Sequence, residues 1–159
     1  MGSTAQVLIK DTGIYLYDHH GTEDPKDPPI LAAVHRAFKR SQYASAIKGI
    51  DPFEPHHIAS IIFQEMVKAQ RDHAQEELNS GITTIYRKED TEVVVDRFGI
   101  DTTFANVQLL VVLDCGYENR TLTLERWSNG RKTSSMQCSF KEFEEKGIGA
   151  FSQTAAKKG

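Results

Sequence analysis

A chain of 159 residues, with 39% apolar and 26% charged side chains, has the length and composition of one globular domain that can bury its own core. Its net charge of −3, with acidic and basic residues mixed along the chain, argues against the strongly basic face that nucleic-acid binding requires. The longest apolar run, VQLLVVL, is too short to cross a membrane. We therefore expect no membrane partner and disfavour nucleic acid.

The cysteines and the first residues indicate the compartment. The opening MGSTAQ has neither the basic segment nor the apolar stretch of a secretory leader. Cys115 and Cys138 lie in apolar or strand-like runs and are not spaced as a C-x-x-C pair. Disulfides are rare in cytosolic proteins. We predict a cytoplasmic protein with two reduced thiols in its core, and a bridge between them is the minor alternative.

The first elements are a pair of strands and a helix. The segment QVLIKDTGIYLY predicts two strands joined by a turn at residues 11–13. Asp27 is predicted to cap a helix whose first residue is Pro28. One face of this helix is apolar and consists of Ile30, Leu31, Val34, Ala37 and Phe38. The helix is expected to end near Arg40, or to continue through YASAIKG to Gly49.

A second helix is predicted from Pro55, which suits a first helical position, to a C-cap at Gly81. Its apolar face consists of Ile58, Ile61, Ile62, Met66 and Ala69. This face thins after Ala69, so we expect the last turns to be solvated or to contact a partner.

The second half of the chain is predicted to be β-rich. Two strands, ITTIYR and TEVVVDRFGI, flank a turn at KED, and NVQLLVVLDCG is apolar enough for a central strand. The runs TLTLERW and KTSSMQCSF form a hairpin around Asn129 and Gly130, which tolerate positive φ. Ser139 and Glu142 have the spacing of a capping box that opens a short helix, FKEFEE.

This order of elements predicts an α+β fold. Strands that follow one another through short turns form a largely antiparallel sheet, with the two main helices packed on one face and a short C-terminal helix. We expect a single domain over residues 1–150 and a flexible tail over residues 151–159.

The stretch IYLYDHHGTEDP is the most suggestive of a binding site. Its loop between strand and helix carries five ionisable or metal-ligating side chains: Asp18, His19, His20, Glu23 and Asp24. Loops held on a rigid scaffold are where binding residues concentrate. We predict these five as binding residues. We expect no metal or cofactor, because no H-x-x-x-H, H-E-x-x-H or paired C-x-x-C motif occurs. We also predict no catalytic residues, because the chain lacks the nucleophile-elbow, phosphate-loop and dinucleotide motifs.

The tripeptide DHH resembles a motif of the DHH phosphoesterases, in which an aspartate and histidines help to hold two metal ions. The chain departs from that family's pattern. Its other aspartate-bearing strand, VVLDCG, follows DHH instead of preceding it, and the opening motif with two aspartates is absent. No metal ligands are therefore carried over.

A broader likeness concerns the layout of the chain. The segments IYLYDHHGTEDP, IIFQEMV, SGITT, EVVVD and CSFKEFEE resemble, in this order, small uncharacterised phage and prophage proteins. The resemblance spans most of the chain and implies no particular activity or site. A phage setting implies a protein that binds and modulates a host component, such as a defence effector.

Three functional hypotheses follow. The leading one is a non-enzymatic binding protein whose partner is a host protein or protein complex. The second is a metal-assisted hydrolase or nucleotide-binding protein that uses Asp18, His19 and His20. The third is a homo-oligomeric structural protein, a homodimer being its simplest form, paired through an edge strand or the polar end of the second helix.

Overall fold

A computed structural model of the chain describes residues 3–22, 24, 26–49, 51–80 and 98–151. The strands in these ranges are β1 (Ala5–Ile9), β2 (Ile14–Asp18), β3 (Phe98–Asp101), β4 (Leu109–Asp114), β5 (Thr121–Ser128) and β6 (Arg131–Ser139). The helices in the same ranges are α1 (Pro29–Lys48), α2 (Pro55–Ser80) and α3 (Phe140–Lys146). None of these described helices is both long enough and apolar enough to span a membrane.

The six described strands form one sheet in the order β3-β2-β1-β4-β5-β6. All neighbouring pairs are antiparallel except β1 and β4, which are parallel. In this register Val7 lies opposite Leu16 on one side and Val111 on the other. The predicted α+β fold with a largely antiparallel sheet, two main helices and a short C-terminal helix is confirmed.

The core lies between the helices and one face of the sheet. Alternate residues of β1, namely Ala5, Val7 and Ile9, are fully buried on this face, as the two-residue period of a strand requires. Phe38 of α1 joins the elements above them. Its ring centroid lies 4.8–5.6 Å from those of three other phenylalanines, which are Phe53, Phe140 and Phe143. The aromatic cluster thus packs α1, the α1–α2 connection and α3 together.

The opposite face of β1 is covered by the connection between β3 and β4. Gln6 points to this face and is fully buried. Its Nε2 donates to Asp101 Oδ2 at 2.9 Å and to the carbonyl of Thr103 at 3.1 Å, and its Oε1 accepts from the N–H of Ala105 at 3.0 Å. Since a buried amide without partners would be destabilising, these bonds are what allow a glutamine at the centre of the sheet.

The predicted helix boundaries are close to the observed ones. Helix α1 begins at Pro29, one residue later than predicted. The carbonyl of Pro28 accepts the N–H groups of Leu31 and Ala32, so Pro28 occupies the N-cap position and the predicted cap at Asp27 is wrong. It continues to Lys48, so the longer of the two predicted ends is correct and the end near residue 40 is wrong. Helix α2 begins at Pro55 as predicted.

Local signals in the second half are also confirmed. Ser139 Oγ accepts from the N–H of Glu142 at 3.0 Å, which completes the predicted capping box. Asn129 and Gly130 have the positive φ values, 52° and 74°, expected of the hairpin turn. Phe151, the first residue of the predicted tail, is instead buried against Phe143, with ring centroids 6.0 Å apart. The predicted strand ITTIYR, the KED turn, the first part of TEVVVDRFGI, the cap at residue 81 and the tail beyond residue 151 lie outside the described residues.

Substitution of Gly21 by alanine tests the close packing of the β2–α1 loop on β1. A Cβ at this position would lie 2.5 Å from the Cβ of Ala5, so the loop or the strand must shift. We expect the free energy of unfolding to fall by about 1–3 kcal/mol in urea denaturation. Gly99→Ala is the matched control, because its Cβ would meet no atom within 4 Å. Equal losses in the two variants would contradict this account.

Candidate functional site

Asp18 holds the turn that opens the predicted binding loop. The residue ends β2 and is only 2% exposed. Its Oδ1 accepts the N–H of His20 at 2.9 Å, and its carbonyl accepts the N–H of Gly21 at 3.3 Å. This is the bonding of an aspartate that stabilises a turn through its own backbone neighbours. The carboxylate is thus used inside the fold.

The two histidines of the loop lie side by side at the surface. Both are exposed, and their ring centroids are 4.9 Å apart in an edge-to-face arrangement. The hydroxyl of Tyr17 is 2.9 Å from Nδ1 of His19. Burial raises the pKa of Tyr17, and the carboxylates of Asp101 and Asp18 raise it further, so the hydroxyl stays protonated and can donate to His19.

The remaining predicted residues are not part of this arrangement. Asp24 is exposed, and its Oδ1 accepts the N–H of Lys26 at 3.0 Å in a turn of its own. Glu23 lies outside the described residues. The structure therefore brings Asp18, His19 and His20 together, and a binding role for the loop stays a prediction.

The metal-assisted alternative finds no ligand set in the described part of the chain. No group of three or more histidine, cysteine, aspartate or glutamate side chains lies close enough there to hold a metal ion. Zinc sites in proteins use three or four such ligands. In the Asp18–His19–His20 turn the two exposed imidazoles lie side by side, but no described residue completes a set of three metal ligands with them.

Both cysteines are buried in the core, as predicted, and neither forms a disulfide. Burial raises the pKa of each thiol to about 12. Since the thiolate is the nucleophile, Cys115 and Cys138 are unreactive at neutral pH.

An ion-pair network joins α1 to α2. Glu65 of α2 is 6% exposed, and its two oxygens accept from Arg36 Nε at 3.1 Å and from Arg40 Nη1 at 3.2 Å. Arg36 also reaches the carbonyl of Glu65 at 3.4 Å, and Arg40 Nη2 donates to Gln64 Oε1 at 2.7 Å. The arginines are four residues apart, which puts both on one face of α1. A buried carboxylate requires such partners.

The arginines of this network also face solvent. The side chains of Arg36 and Arg40 are 44% and 48% exposed. A guanidinium carries five N–H donors, so the donors that bond no described residue can meet an anion. The network therefore fixes two cations at the surface between the helices.

A groove runs beside this network along α2. The basic groove, as we call it, has a volume of about 600 Å³ and is lined by Arg40, Phe63, Gln64, Val67, Lys68, Arg71 and Asp72. Phe63 and Val67 are one helical turn apart and form its apolar floor. Phe63 is anchored on β3, with its ring 6.4 Å from that of Phe98. Most of the polar side chains that line the basic groove are cationic.

Sequence reasoning missed the basic groove, although one signal pointed to it. Helix α1 contains no acidic residue but carries four basic ones, Arg36, Lys39, Arg40 and Lys48. Such a one-signed helix in a chain of net charge −3 is a charge asymmetry that predicts a contact surface. The pairing with Glu65, 29 residues away, cannot be predicted from spacing alone.

Comparisons with known proteins give no relative from which to argue. No protein-family model, curated protein or solved structure matches the chain. The function must therefore be inferred from the surfaces described above.

Replacing Asp18 by alanine tests its role in the turn. The variant loses the acceptor for the N–H of His20, and we expect the free energy of unfolding to fall by about 1–3 kcal/mol. The His19→Ala/His20→Ala double variant removes only exposed rings and should change it by less than about 1 kcal/mol. Urea denaturation measures both. A loss for Asp18→Ala no larger than that of the histidine variant would contradict the structural role of Asp18.

The raised thiol pKa values predict slow alkylation of the native protein. At pH 8, iodoacetamide should modify Cys115 and Cys138 only after unfolding in urea, as followed by mass spectrometry. The same shift predicts the direction of a pH effect. The thiols contribute full stability below their ordinary pKa of 9.0, and this contribution is lost as the pH rises from there towards 12. Rapid labelling of the folded protein would refute the assignment.

Proposed function

We propose that this chain is a non-enzymatic binding protein that captures an acidic segment of a partner protein in the basic groove. The observation that carries the proposal is a groove with an apolar floor that is lined by Arg40, which Glu65 holds in place, and that lies one helical turn from the equally held Arg36. The likeness to phage proteins favours a host protein complex, such as a defence effector, as the source of that segment.

The charge of the groove favours an acidic partner. Among the described residues of the groove and of the adjoining Glu65 network, the cations Arg36, Arg40, Lys68 and Arg71 outnumber the carboxylates Glu65 and Asp72. The chain as a whole has the opposite balance, 22 acidic to 19 basic residues. A local positive surface on a negative protein attracts and orients an oppositely charged partner, and it disfavours contacts elsewhere on the molecule.

The Glu65 network lowers the cost of binding. Each flexible side chain that becomes fixed at an interface loses about 0.5–1.5 kcal/mol of conformational freedom. Arg36 and Arg40 are already held by Glu65, and Arg40 also by Gln64. Carboxylates of the partner therefore meet cations that are already in place.

The apolar floor of the basic groove favours a peptide over a nucleic acid as the bound partner. Phe63 and Val67 are half-buried and lie at a spacing of four residues, which suits apolar anchors on one face of a partner helix. Binding of a nucleic-acid strand relies instead on a long basic track with exposed aromatic platforms. The ring of Phe63 is packed against Phe98, so it does not offer such a platform.

A designed peptide provides the test. The probe is a labelled helical peptide with leucines at i, i+3, i+4 and i+7 and glutamates on its other faces, and a scrambled peptide of the same composition is its control. Fluorescence anisotropy should show binding of the helical peptide that weakens as salt screens the charges. The Lys68→Glu/Arg71→Glu variant should weaken it at least about tenfold.

A matched variant separates the groove from net charge. Lys26→Glu/Lys141→Glu makes the same change of charge at exposed positions away from the groove and should bind the helical peptide like the unmodified protein. Three outcomes would overturn the proposal: equal binding of the scrambled peptide, equal loss in both variants, or tighter binding of a single-stranded oligonucleotide.

A further inference from the structure

We infer that a second site, separate from the basic groove, binds a neutral sugar against the packed rings of Phe104 and Trp127. This aromatic cup, as we call it, has a volume of about 560 Å³ and lies at the end of the sheet where β4 begins and β5 ends. Its volume falls in the range of about 300–1,000 Å³ typical of small-molecule sites. The inference goes beyond the proposed protein-binding function and does not depend on it.

The two walls of the cup are held in fixed positions. One wall is the β3–β4 connection, which Gln6 anchors through Thr103 and Ala105. The other is the end of β5 and the turn to β6. The walls are joined where the N–H of Trp127 donates to the carbonyl of Gln108 at 2.8 Å. A ligand would therefore meet a largely preformed site, which reduces the cost of ordering on binding.

The indole ring of Trp127 is oriented by its neighbours. The strand register shifts between Arg126 and Trp127, and such a bulge re-aims the side chain that follows it. The indole Nε1 donates to Glu125 Oε1 at 3.2 Å. The ring is also tilted at 47° against that of Phe104, with centroids 4.8 Å apart. Both rings remain partly exposed, so they can form a fixed apolar wall of the cup.

The polar part of the cup is neutral. None of the nine described residues that line it is charged, although 26% of the chain is. The exposed groups are the amides of Asn106, Gln108 and Asn129 and the hydroxyl of Ser128. An amide side chain offers both donors and an acceptor, and a hydroxyl does the same. The side chains that line the cup can therefore form hydrogen bonds with a ligand that carries several hydroxyl groups. They carry no charge that could pair with an ionic ligand.

The aromatic wall and the uncharged polar lining together indicate a neutral sugar as the ligand. The ring of a neutral sugar has a face of C–H groups, which packs against the electron-rich face of an aromatic ring, and a rim of hydroxyls. The aromatic wall matches that face, and the amides match the rim. A nucleotide would need cations for its phosphates, which the lining residues do not provide.

Trp127 is the only tryptophan of the chain, so its fluorescence reports directly on the cup. The probes are the neutral disaccharides maltose, cellobiose, lactose and N,N′-diacetylchitobiose, each titrated into the full chain. We expect at least one of them to cause a saturable change in Trp127 emission with a dissociation constant of about 1 mM or below.

A variant without two of the amides tests the assignment to the cup. Asn106→Gly keeps the positive φ of 52° at this position while removing the amide, and Gln108→Ala shortens an exposed side chain. We expect this double variant to weaken sugar binding at least about tenfold with an unchanged melting temperature. The matched control, Gln42→Ala/Gln137→Ala, removes two exposed amides outside the cup and should bind like the unmodified protein.

Three results would overturn the inference. The first is that no disaccharide changes Trp127 emission in a saturable way. The second is that the Asn106→Gly/Gln108→Ala variant binds the sugar as tightly as its control does. The third is that adenosine binds more tightly than every disaccharide, which would assign the aromatic wall to a flat heterocycle instead.

Discussion

The position of β1 in the middle of the sheet is the constraint on which the rest of the structure depends. β1 forms hydrogen-bonded pairs with β2 on one side and with β4 on the other, so its backbone groups are satisfied within the sheet. Its side chains alternate between the two faces: Ala5, Val7 and Ile9 are buried on one, and on the other Gln6 is buried and Leu8 is half-buried. Each face therefore needs its own cover.

The two covers of β1 create the two surfaces proposed as binding sites. The first cover is α1, which packs on β1 and is joined by Glu65, between two arginines, to α2, which packs on β2. Of these two held cations, Arg40 lines the basic groove and Arg36 lies one helical turn away on α1. The second cover is the β3–β4 connection, which Gln6 holds through a buried amide. That connection places Phe104 beside Trp127 and so forms the aromatic cup. Binding surfaces thus arise from the same packing that completes the core.

Local features of the fold could be predicted from the sequence, and non-local ones could not. The capping box at Ser139 and the hairpin turn at Asn129 involve residues within a few positions of each other, so residue type and spacing suffice. Gln6 bonds Asp101, 95 positions away, and no pattern in the sequence predicts that partner. The parallel pairing of β1 with β4 is equally remote. For the same reason the sequence does not predict the groove or the cup, whereas it does indicate the cluster at Asp18, whose residues are consecutive.

Mapping of backbone amide shifts by nuclear magnetic resonance tests the central claim most directly. The acidic helical peptide would be titrated into isotope-labelled protein, and the shifts would show where it binds. The account predicts that the largest changes fall at residues 36–40 of α1 and 63–72 of α2, the segments that form the basic groove and its arginine pair. Largest changes at His19 and His20, or at the aromatic cup, would contradict it.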